Sequence, residues 1–92
     1  MSKTIKDRYF DLTMKVLNYA IEFVDQPSYA SLRLIDILES LIDLSNSVEG
    51  VNDKEFYQKV KTKFKDRILM EDNTAFLDEL LNIYINEWKK GI

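Results

Sequence analysis

An all-α fold, an antiparallel four-helix bundle-like single domain, is what this sequence predicts, and three observations predict it. Apolar residues recur at helical spacing in four segments of about 17–21 residues each. Breakers are scarce, with two Gly and one Pro in 92 residues. Gly50, Gly91 and Pro27 all stand where the apolar periodicity lapses. The connections are a few residues long, which favours antiparallel neighbours. The expected helices are about 4–25, 29–47, 53–69 and 73–90, all within one domain of residues 1–92.

The first segment opens on Thr4 with Asp7 three residues on, the spacing of a capping box. At about 100° per residue, Ile5, Tyr9, Leu12, Val16, Tyr19, Ala20 and Phe23 form one apolar ridge. Phe10, Met14, Leu17, Ile21 and Val24 form a second beside it. Asp7, Arg8, Asp11, Lys15, Asn18, Glu22 and Asp25 hold the remaining face. An apolar arc of about 220° is well beyond the ~100° of an ordinary surface helix. Two ridges imply either a central helix wrapped by its neighbours or a surface covered by another chain. Exposed apolar patches of that size are unusual on a monomer. Phe10, Met14, Leu17 and Ile21 are therefore the candidate dimer face, and a homodimer is the expected state.

Pro27 disfavours helix at Gln26, so the second segment starts afresh, with Ser28 or Ser31 as its expected cap. Leu34, Ile35, Ile37, Leu38, Leu41, Ile42 and Leu44 cover about half its circumference. Tyr29, Arg33, Asp36, Ser40 and Asp43 fall opposite. A turn around Gly50 follows, and Asn52 or Asp53 is placed to cap the third segment, with Asn52 and Glu55 at capping-box spacing. Phe56, Tyr57, Val60, Phe64 and Ile68 make a narrow helical stripe. The run Lys59–Lys65 also alternates with period two, as a half-buried strand would. A lone strand leaves its backbone unbonded, and no second strand exists to pair with it, so helix is expected. Residues 71–74 form a polar break that caps the fourth helix. Phe76, Leu77, Leu80, Leu81, Ile83, Tyr84, Ile85 and Trp88 are its apolar arc, with Lys89 and Lys90 at the negative end of its dipole. Gly91 is its stop.

The composition excludes whole classes of chemistry. With no Cys and no His, there is no disulfide, thiolate nucleophile, haem–His bond or Ser–His–Asp arrangement. Only carboxylates remain as strong metal ligands, and no cofactor or metal is expected. Asp7/Asp11, Asp36/Asp43 and Asp78/Glu79 fall on or beside polar faces, where exposed acids are ordinary. Ser28, Ser31 and Ser40 lack a base of the usual type. The expectation is that the chain is not an enzyme. The charged N-terminus is unlike a signal peptide, and no window approaches ~18 uncharged apolar residues. A cytoplasmic protein with no membrane role is expected. The net charge of −3 makes nucleic acid an unlikely partner.

Charge is nonetheless uneven. Residues 53–67 hold six Lys/Arg and three Asp/Glu. Lys54, Lys61 and Lys65 fall on one side of the third helix's stripe and are its candidate anion-binding set. The plainer account is a solvated face whose lysine stems cover apolar surface.

The stretch Pro27-Ser28-Tyr29-Ala30-Ser31-Leu32-Arg33-Leu34-Ile35-Asp36 resembles an uncharacterised family of small all-helical prokaryotic proteins with a Pro-x-Tyr-x-x-x-Arg-Leu-x-Asp run. Ala30 stands where Gly is common in that family, and Gln26 where an acid is. The resemblance spans most of the chain in helix layout and about ten residues in motif. It implies an all-helical fold and carries no activity. Read physically, Tyr29 and Arg33 lie one turn apart, and Asp36 is placed to pair with Arg33. Tyr29, Arg33 and Asp36 are thus the candidate polar site. They either lock the turn between the first and second helices or offer the Arg33 fork to a partner's carboxylate or phosphate.

The sequence therefore points to a non-catalytic helical interaction or assembly module acting as a homodimer, with a further protein partner as an option. One alternative is a small-molecule binder with a cavity among Tyr9, Tyr19, Tyr84 and Trp88. Another is a weak anion or nucleic-acid binder working through the Lys-rich third helix.

Overall fold

A computed structural model describes residues 4–24, 29–52, 55–67 and 73–90, with the backbone alone for residues 5 and 6. The described residues form four α-helices: α1 (Ile5–Phe23), α2 (Ala30–Leu44), α3 (Glu55–Asp66) and α4 (Asn73–Lys90). No strand occurs among them.

The start of α1 follows its local chemistry. Thr4 Oγ1 accepts the Asp7 N–H at 3.2 Å, and the Asp7 carboxylate accepts from the Thr4 backbone at 3.4 Å. This reciprocal pair satisfies donors that a helix start leaves open. The start of α2 departs from expectation. Tyr29 is its N-cap and makes no side-chain capping bond. Ser31 does not cap; its buried hydroxyl donates to the Ala20 carbonyl of α1 at 2.9 Å. Ser28 and Pro27 lie outside the described residues.

A short 3₁₀ turn, Ser45–Ser47, extends α2. The chain then reverses at Gly50, whose φ of 90° suits a residue without Cβ. The N–H groups of Val51 and Asn52 both donate to the Val48 carbonyl at 3.0 Å. This turn drives Val51 fully into the core.

Helix, not strand, is found through the lysine-rich run. Phe56, Tyr57, Val60 and Phe64 are buried on one face of α3, and the alternating lysines fall to either side of that face. Ile68 and Asp53 lie outside the described residues.

The four helices form an up-down ring. Tyr9 donates to the Leu41 carbonyl and Ser31 to that of Ala20, which fixes α1 antiparallel to α2. Gln58 bonds Asn46 at 3.1 Å and Lys61 pairs with Asp43 at 3.9 Å, reversing α3 against α2. Phe64 meets Phe76 at 5.2 Å and Phe56 meets Tyr84 at 4.8 Å, reversing α4 against α3. Phe10 closes the ring on Tyr84 at 5.4 Å. Across the middle, Tyr9 stands edge-on to Tyr57 and Phe10 lies tilted against Phe56. Such aromatic pairs add about 0.5–1.5 kcal/mol each beyond their area, which matters in a core this small.

The proposed dimer ridge belongs to this interior. Leu17 is fully buried, Phe10 packs on rings from α3 and α4, and Met14 and Ile21 are partly buried against the core. The reason is that this side of α1 turns to the core, where Phe10 meets Tyr84 of α4 at 5.4 Å. Phe10, Met14, Leu17 and Ile21 are therefore intramolecular contacts. What stays open is the far edge of the other ridge, at Leu12 and Tyr19.

Among the described residues no helix is long and apolar enough to cross a membrane.

Candidate functional site

Four large apolar side chains are exposed on the outer side of the α1–α2 pair. Leu12 and Tyr19 stand seven residues apart on α1, and Ile37 and Leu44 seven apart on α2. Seven residues is close to two helical turns, so each pair shares a face. Their exposure ranges from 43% for Tyr19 to 51% for Leu44.

The packing shows that both faces meet at one seam. On α1, Phe10 reaches Tyr84 of α4 on one side. Leu12 and Tyr19 lie round the opposite side, beyond buried Tyr9 and Val16. On α2, Asp43 and Asn46 reach α3 on one side. Ile37 and Leu44 lie round the other, beyond half-buried Leu34 and Leu41. The Tyr9–Leu41 and Ala20–Ser31 bonds set the register and bring Leu12 level with Ile37 and Leu38. The exposed parts together make a stripe on the order of 400 Å², a size at which patches on monomers are often functional.

The polar trio of α2 is only partly brought together. The Arg33 N–H donates to the Tyr29 carbonyl at 3.0 Å, an ordinary first-turn bond. The Tyr29 side chain is 74% exposed. Among the described residues Arg33 makes no ion pair with Asp36, although their spacing allows one. Asp36 instead lends its carbonyl to the Ser40 hydroxyl at 3.1 Å. Tyr29, Arg33 and Asp36 therefore form no closed polar lock. Arg33 is exposed at the edge of the apolar stripe, one turn from Ile37.

The lysines do not converge as an anion site. Lys61 pairs with Asp43, and Lys63 pairs with Glu79 at 3.4 Å. Lys65 lines an open groove of about 390 Å³ between α2 and α3, together with Lys61, Glu39, Asp43, Ile42 and Phe64. Two acids facing two lysines cancel the field that would draw an anion. Lys54 lies outside the described residues.

The four aromatics of the expected ligand pocket are not gathered in one place. Tyr9 and Tyr84 are buried in the ring-packed centre, while Tyr19 and Trp88 are exposed. The antiparallel pairing of α1 and α4 puts Tyr19 and Trp88 at opposite ends of the bundle. The centre holds a tyrosine cluster instead. Burial raises the hydroxyl pKa of Tyr57, aided by Tyr9 and Glu87, and burial likewise raises that of Tyr84. Tyr9 is also raised by burial. Thr13, fully buried and bonded to the Phe10 carbonyl at 3.1 Å, is the polar group that partly offsets this at Tyr57 and Tyr84. The Tyr84 hydroxyl has no partner at hydrogen-bonding geometry. A hydroxyl held protonated inside a packed core is no base or nucleophile. Among the described residues no group of three or more His, Cys, Asp or Glu side chains could hold a metal.

Sequence periodicity missed two of these features. Thr13 sits between the two apolar ridges and belongs to neither by type. The α1–α2 stripe was visible only as surplus apolar residues, because its location depends on which edge of α1 is covered. Comparison with protein-family models, curated proteins and solved structures finds no match to the chain.

Proposed function

We propose that the chain is a non-catalytic interaction module that engages another protein surface through the outer α1–α2 face. The observation that supports this is the stripe of Leu12, Tyr19, Ile37 and Leu44, left half in water beside a core that fills without them. At about 25 cal/mol per Å², covering some 400 Å² of apolar surface is worth about 10 kcal/mol before the costs of association. The stripe matches the apolar share of one side of a standard interface of about 800 Å².

Leu12→Ser with Ile37→Ser tests the reading in the full chain. Both side chains are about half exposed, so the helices are expected to be kept with a modest fall in melting temperature. Quantitative affinity capture is expected to show at least one protein held by the wild type and lost by the double variant. Identical captured sets for the two proteins would sink the proposal. Light scattering across a dilution series, read against 10.9 kDa, reveals whether the held protein is a second copy of the chain.

A further inference from the structure

We draw no further inference here: the strongest candidate, the apolar stripe of Leu12, Tyr19, Ile37 and Leu44 on the outer α1–α2 face, belongs to the reading already proposed, and nothing in the structure shows what covers it.

Discussion

Removing the Tyr84 hydroxyl is expected to stabilise the protein, although most core substitutions do the reverse. Tyr84 is 0% exposed, and its hydroxyl meets no partner at hydrogen-bonding geometry, the neighbouring Thr13 hydroxyl included. An unsatisfied buried polar group carries a penalty of about 1–3 kcal/mol. Phe keeps the ring contacts with Phe10 at 5.4 Å and Phe56 at 4.8 Å. It leaves a void of one oxygen, which takes back part of the gain. The expected net for Tyr84→Phe is about 1 kcal/mol in favour of folding, read as a rise in melting temperature of about 4–8 °C for a domain this size. Tyr9→Phe is the matched control. The Tyr9 hydroxyl donates to the Leu41 carbonyl, so its loss is expected to destabilise by about 0.5–1.5 kcal/mol. Urea unfolding of both variants, with unchanged slopes, gives the two signs directly. A loss of 1 kcal/mol or more in Tyr84→Phe would refute the reasoning, because the hydroxyl would then have a partner in solution.

The same cluster predicts alkaline unfolding. Burial raises Tyr57 and Tyr84 above the ordinary value of 10.0. The unfolded chain therefore loses these protons first, and their contribution is intact below pH 10 and declines above it. The limiting slope for two groups is about 2.7 kcal/mol per pH unit, and urea midpoints at stepped pH measure it; a flat profile through pH 11 would contradict it. Gly50→Ala is expected to cost about 1 kcal/mol, because alanine resists the φ of 90° that Gly50 adopts. The check is a lower urea midpoint at unchanged helix content; an unchanged midpoint would mean that the turn relaxes.

The elements were legible because their signals are local. The Thr4–Asp7 capping box reads directly from three residues' spacing and is present. The fourth helix was expected at 73–90 and spans Asn73–Lys90. The helix–strand ambiguity of residues 56–68 resolves to α3 over the described part, since no strand exists among the described residues to satisfy a partner ladder. Of the two caps expected for α2, Ser28 lies outside the described residues and Ser31 does not cap, because it had two uses open to it. The near approach of α1 at Ala20 gave its hydroxyl a buried carbonyl, and no local rule weighs that against capping.

The surface was less legible than the elements. A sequence can state that α1 carries more apolar arc than one contact needs, because side-chain periodicity is set by helix geometry alone. It cannot state which edge of the arc remains in water. That was decided by the core that takes in Leu17, Met14 and Ile21, and by α4, whose Tyr84 meets Phe10 at 5.4 Å. It was decided also by the α1–α2 register, which aligns Leu12 with Ile37 and sets Arg33 beside them. Helical class, cap chemistry and the excess of apolar surface are thus properties of the chain read in order. The exposed stripe exists only after residues distant in sequence pack, because burial depends on neighbours and not on periodicity.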